Sequence, residues 1–192
     1  LGLFKNASPD SLIIDCSTIA PSVAIELPQS ARNHRMTYID APVSGGVTGA
    51  AAGTLTFMVG AANEEQFNSV KPILECMGKN IFNCGKTGAG QITKACNNMA
   101  LAIEMIGISE ALALGKSLGM DEKTLTNIMK VSTSRCWSIE TYNPVPGVME
   151  NVPASRNYEG GFGCALMLKD LGLALQAARE VGTRTELGDK SQ

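Results

Sequence analysis

From about residue 90 to residue 118 the sequence carries one unbroken helical pattern, with Ile92, Ala95, Cys96, Met99, Ile103, Ile106 and Leu114 as apolar positions at mixed three- and four-residue spacing. At 1.5 Å per residue such a helix is roughly 40 Å long, about a domain diameter, so it can join two domains. The chain reads differently on its two sides. Upstream, apolar runs at 11–16, 36–40, 54–59 and 80–84 read as strands, and they alternate with helical stretches at 22–32, weakened by Pro28, and at 63–77. Asn63 is the expected N-cap of the latter, with Gln66 at the third position. Strands alternating with helices predict an α/β sheet. Downstream, Gly119 ends the long helix, Asp121 caps a short helix to Val131, residues 137–158 form a long Pro/Asn/Gly-rich loop, and a last helix is expected over 163–181. The expected division is 1–87 as α/β and 88–192 as all-α.

Charge and cysteine usage narrow the function classes. Only 18% of the 192 residues are charged, the formal net charge is -2, and no Lys/Arg run or aromatic-interleaved basic stretch occurs, so nucleic acid is not an expected partner. The apolar segment 99–118 is interrupted by Glu104, Gly107, Glu110 and Gly115, which sit poorly in lipid, and a soluble protein with no membrane partner is expected. The six cysteines form no C-x-x-C pair and His34 is the sole histidine, so the expectation is buried free thiols in a reducing compartment, with neither metal nor disulfide framework. The chain opens Leu-Gly-Leu-Phe without an initiator Met or leader-like segment, and it reads as part of a longer protein.

Three segments carry residues suited to chemistry. Asp40-Ala-Pro-Val-Ser44-Gly45-Gly46 sets a hydroxyl and two unhindered backbone N–H groups directly after a strand, where a glycine turn can hold a carboxylate. Gly88-Ala-Gly90-Gln-Ile-Thr-Lys94-Ala-Cys-Asn-Asn98 sets Lys94 and Asn98 on one face of a helix start, at the positive end of its dipole. That dipole, together with burial, favours loss of the lysine's proton, and with His34 the sole other candidate Lys94 is the natural proton-transfer group. Lys169-Asp170-Leu171 stands among apolar neighbours near the start of the last helix. Singly, these also read as an ordinary glycine loop, a solvated helical lysine and a surface Lys–Asp pair.

Taken together and in order, the three segments resemble the β-hydroxyacid dehydrogenase family: D-A-P-V-S-G-G as its substrate motif, G-x-G-x-x-x-K-x-x-x-N as its catalytic motif, and the late K-D-L. The likeness covers nearly the whole chain. Residues 135–148 and 158–162 resemble the branch of that family that acts on 3-hydroxyisobutyrate. The resemblance implies the remainder of a Rossmann-type sheet joined by the long helix to a helical domain, and NAD-dependent oxidation of a short hydroxy acid. It implies Lys94 as the proton-transfer group and Ser44, Gly45, Gly46 and Asn98 on the substrate. Thr18, Phe162, Lys169 and Asp170 are implied at the nicotinamide end of the cofactor. A homo-oligomer formed through the helical domain is implied, as is a mitochondrial setting in a eukaryote or a cytoplasmic one otherwise. The G-x-G-x-x-G turn that cradles the pyrophosphate in such folds does not occur in these residues. Alternatives that remain are a related tartronate or succinate semialdehyde reductase, and a non-catalytic helical interaction paralogue.

Overall fold

The structure, a computed structural model, describes residues 2–192. Its elements in order are α1 (Leu3–Asn6), β1 (Leu12–Asp15), α2 (Pro21–Asn33), β2 (Thr37–Asp40), β3 (Val43–Ser44), α3 (Gly46–Ala52), β4 (Leu55–Gly60), α4 (Glu64–Glu75) and β5 (Gly78–Gly85). There follow α5 (Ala89–Ser117), α6 (Glu122–Met129), α7 (Trp137–Glu140), a 3₁₀ turn (Pro153–Arg156), α8 (Cys164–Glu180) and α9 (Glu186–Ser191). This is the anticipated Rossmann-like sheet, long helix and helical remainder. The chain forms two compact units, the first comprising residues through Asn97 with Gly172–Arg184, the second Asn98–Leu171 with Thr185–Gln192.

In the first unit β1 and β2 pair in parallel, as do β4 and β5, while β2 and β3 run antiparallel to β4. The pairs Asp40↔Gly60, Val43↔Phe57 and Ser44↔Thr56 keep a single register, so β2 and β3 are one strand path along β4, interrupted at Ala41-Pro42. Pro42 has no N–H to donate, which breaks the ladder, but its carbonyl still accepts from the Met58 amide at 2.9 Å. The interruption therefore continues the strand direction and delivers Ser44 next to β4. Ile39, Phe57, Val59, Phe67, Val70 and Leu74 form the core beneath. Helix α2 runs through Pro28, giving up one backbone hydrogen bond, while fully buried Ala24 and Ala31 hold the helix against its unit. Asn63 caps α4 as anticipated, its side chain accepting from the Gln66 amide, and Gln66 returns a bond from the Ala62 amide.

Several short elements escaped the sequence reading, α3 and those of the 137–158 segment among them. Gly46-Val-Thr-Gly-Ala-Ala-Ala52 has poor helix propensity, yet it forms α3 between Gly45 and a left-handed Gly53. The 137–158 segment, expected as loop throughout, contains α7 and the 3₁₀ turn.

Helix α5 departs more from expectation. Of the apolar positions that set the helical pattern, Ile92, Cys96, Ile106 and Leu114 are exposed and Ala95 is buried, and the buried stripe runs through Gln91, Lys94, Ala95, Asn98, Ala102, Ile108 and Leu112. Apart from the adjacent Lys94 and Ala95 and a wider gap after Ala102, these fall at three- and four-residue steps, so the helical period holds while the buried face carries polar residues in its first turns. By length and composition α5 could cross a membrane; its Glu104 and Glu110 are exposed, and its opening turns are bonded into the α/β unit as described below. In the second unit α5 packs through Ile108 and Leu112 on Ile139, with Leu125, Met129 and Val145 around them.

Candidate active site

Asp40, at the end of β2, is fully buried, an expensive place for a carboxylate without partners. Its Oδ1 accepts from the Gly88 amide at 2.7 Å and its Oδ2 from the Gln91 amide at 3.1 Å, so it serves as a tertiary cap on the N-terminus of α5. Burial pushes the carboxyl above the usual aspartate range, and these amide donors hold it down in part. Space for this cap is made by glycines. A Cβ on Gly60 would run into Asp40 Oδ1, and one on Gly90 would meet the Met58 carbonyl oxygen and Asp40 Oδ2. Gly88 lies at φ +92°, where a side chain is strained as well as crowded by Ile25. The glycines of the G-x-G segment thus admit Asp40 to the helix end.

With the helix start pinned to the end of β2, the next turn of α5 and the next residues of the strand meet. Lys94, 7% exposed, donates from Nζ to Ser44 Oγ at 2.9 Å. Two motifs that the sequence separates by 50 positions are joined by that bond. Gly45 and Gly46 both take positive φ, at +133° and +60°, and are exposed, so the chain turns beside Ser44 with its backbone open to a ligand.

The loop after β1 is held from the same helix. Gln91, fully buried, donates from Nε2 to the Ser17 carbonyl at 2.7 Å and accepts at Oε1 from the Ile19 amide at 3.1 Å, bracketing Thr18. Asp15 Oδ1 accepts from the Ser17 amide, and its Oδ2 takes the Tyr38 hydroxyl bond at 3.0 Å. Burial and the neighbouring Asp15 carboxylate push the Tyr38 phenol up, so it stays a neutral donor. Neither Gln91 nor Asp40 had been given a role from the sequence. A signal existed, since Gln91, Lys94 and Asn98 are polar residues at i, i+3 and i+7, one stripe of a helix.

In the second unit, Asn98 is 1% exposed and donates from Nδ2 to Asp170 Oδ2 at 2.7 Å, while Asp170 Oδ1 meets the Lys169 ammonium at 2.8 Å. Asp170 is itself buried and the Lys169 side chain is about half exposed. Phe162 is partly exposed, and its amide donates to the Tyr142 hydroxyl at 2.9 Å. Trp137 stacks on Tyr142 with ring centroids 4.8 Å apart, and these aromatics line an apolar groove of about 620 Å³. No group of three metal-ligating side chains occurs among the described residues.

The fold suits a nicotinamide dinucleotide at one end. The loop carrying Thr18 leaves the C-terminal edge of the parallel β1–β2 pair and enters the N-terminus of α2, with Pro21 at the first helical position. A strand, a fixed loop and a helix N-terminus in that order favour an anionic cofactor lying over the strand ends.

Comparison with known proteins agrees. Residues 88–192 match the family described as NAD-binding of NADP-dependent 3-hydroxyisobutyrate dehydrogenase, and residues 1–85 match the NAD binding domain of 6-phosphogluconate dehydrogenase. The chain is 53% identical over 190 residues to a probable mitochondrial 3-hydroxyisobutyrate dehydrogenase of Dictyostelium discoideum, covering 99% of this chain and 59% of that protein. It is 51% identical to an NAD-dependent L-serine dehydrogenase of Pseudomonas aeruginosa, covering 97% of this chain and 62% of that one. The solved structure of Mycobacterium tuberculosis 3-hydroxyisobutyrate dehydrogenase with L-serine superposes with a TM-score of 0.90 at 44% identity, covering 98% of this chain and 64% of that one. The chain thus spans a little over half the length of the curated relatives it matches. It belongs to the 3-hydroxyisobutyrate dehydrogenase family of NAD(P)-binding oxidoreductases.

Proposed function

We propose that the protein carrying this chain oxidises 3-hydroxyisobutyrate to methylmalonate semialdehyde with NAD, a step of valine degradation, and that Lys94 is its proton-transfer group. The observation that carries this is the 2.9 Å contact between Lys94 Nζ and Ser44 Oγ, which puts a buried amine beside the turn suited to a carboxylate. The substrate carboxylate rests on the Ser44 hydroxyl and the Gly45 and Gly46 amides. Its β-hydroxyl reaches Lys94, which takes the proton as a neutral amine and returns it in the reverse reaction; moving the proton in step with hydride avoids a free alkoxide. Bound NAD supplies the hydride acceptor. Asn98, one helical turn beyond Lys94, orients the substrate, and Asp170 fixes the Asn98 amide while pairing with Lys169. Thr18, Phe162, Lys169 and Asp170 shape the nicotinamide end of the site, Asp170 through the neighbours it holds. NAD is the proposed cofactor, as for the Pseudomonas aeruginosa relative; the family matched over residues 88–192 is described as NADP-dependent, and comparative titration with NAD and NADP decides between them. If the source is a eukaryote, the mitochondrion is the proposed location, as for the Dictyostelium discoideum relative. The helical region is the proposed oligomer interface.

L-serine is the second reading, favoured by the relative that oxidises it and the solved structure that contains it. It offers the same carboxylate and β-hydroxyl. In the full-length protein, kcat/KM is expected to be at least about tenfold higher for 3-hydroxyisobutyrate, because one well-placed hydrophobic contact commonly discriminates to that extent. A higher value for L-serine reverses the assignment, and no turnover of either acid refutes it. In the same assay, Ser44→Ala is expected to raise the hydroxy-acid KM about tenfold, the loss of one hydrogen bond to a charged group, with the KM for NAD within about twofold. Equal shifts in both constants would place Ser44 in general stability.

A further inference from the structure

We infer that Gln91 is a positioning residue for the cofactor: its side-chain amide sets the Thr18 loop in the shape that receives the nicotinamide end. This rests on the assignment of Thr18 to that end made above. The side chain supplies one acceptor to the Ile19 amide and one donor to the Ser17 carbonyl, so it meets the loop on both sides of Thr18 as a neighbouring strand would. Its own amide donates to Asp40, whose other oxygen holds the Gly88 amide. One buried residue therefore ties the loop after β1 to the end of β2 and to the start of the helix that bears Lys94.

The chemistry is specific to glutamine. Asparagine is one methylene too short to span Ser17 and Ile19 from the same helix position. Leucine fills the space and leaves a carbonyl and an amide without partners. An ionised glutamate satisfies the Ile19 amide but sets an oxygen against the Ser17 carbonyl, whereas a protonated glutamate offers the same acceptor and donor as glutamine.

The test uses the full-length protein and NAD itself. Gln91→Leu is expected to weaken NAD binding, read by fluorescence titration, by about tenfold, as expected when two hydrogen bonds that preset a loop are lost. At saturating NAD the hydroxy-acid KM stays within twofold. In the protein without ligand, hydrogen exchange at the Ile19 amide accelerates by about tenfold or more, while exchange at the core Val59 amide does not change. Gln91→Glu places a carboxyl in a fully buried position, where desolvation pushes it above the usual glutamate range, so it binds NAD nearly as the parent does at about pH 5 and loses affinity relative to it as pH rises and the carboxyl ionises. NAD affinity within twofold of the parent in Gln91→Leu overturns the inference, and so does faster exchange at Ile19 and Val59 together. If Gln91→Leu fails to fold, the Gln91→Glu titration decides, and a pH-independent ratio to the parent overturns the proposal. A parent protein that binds NAD but oxidises neither hydroxy acid refutes the proposed function alone, since these readouts are binding and exchange.

Discussion

Replacing Lys94 by alanine in the full-length protein is expected to lower kcat for the hydroxy acid by about 10²–10⁴-fold, the span usual for a lost acid–base group. Affinity for NAD is expected to stay within about twofold. The asymmetry follows from placement. Lys94 is buried, its Nζ reaches Ser44 Oγ, and its helix start is held by Asp40 and Gln91 through bonds the substitution leaves intact. The loop carrying Thr18 should not move, because Gln91 rather than Lys94 holds it. Turnover of the alanine variant within a factor of two of the parent would remove Lys94 from the mechanism.

The largest stability effect is expected at Asp40. Asparagine has the same shape, but one of its two terminal groups is a donor, so either the Gly88 or the Gln91 amide faces an N–H in place of an oxygen. An amide left without a partner in a fully buried setting costs about 1–3 kcal/mol, and the facing donors add repulsion. Asp40→Asn should therefore unfold at lower denaturant concentration with an unchanged slope, and the folded fraction should lose turnover because Lys94 no longer meets Ser44 in register. A denaturation midpoint equal to that of the parent would mean that the helix end is held by other contacts.

How much of this was visible beforehand divides along physical lines. The four longer strands and the long helix were legible because apolar period and turn residues mark them directly, and Asn63 and Asp121 cap their helices as their positions suggested. The phase of α5 was not legible. Apolar residues such as Ile92 and Leu114 mark a face as core by default, whereas here Gln91, Lys94 and Asn98 lie on the buried stripe, each bonded to a partner far away in sequence. A stripe that is buried and polar at once looks like a solvated face until its partners are known. The two-residue β3 was invisible for another reason, since its pairing is fixed by β4 across the sheet rather than by its own sequence. Among site residues, Lys94 and Ser44 were named from their motifs and are in contact. Gln91 stood within the quoted motif without a role, because a bond to Ser17 and Ile19 leaves no local mark. Asp170 was placed at the nicotinamide end by resemblance alone, and its bonds to Asn98 and Lys169 leave no local mark in the sequence.

The central claim is that Lys94 exchanges the proton of a hydroxy acid seated on Ser44, Gly45 and Gly46. Its most direct test is the turnover of 3-hydroxyisobutyrate by full-length Lys94→Ala protein in the presence of small primary amines, which can occupy the space the side chain leaves. The account predicts a slow basal rate that rises with amine concentration and, at fixed concentration of unprotonated amine, with amine basicity, as a group that accepts the proton in the transition state requires. A rate that is near the parent's without amine, or that amines of any basicity leave unmoved, would contradict it.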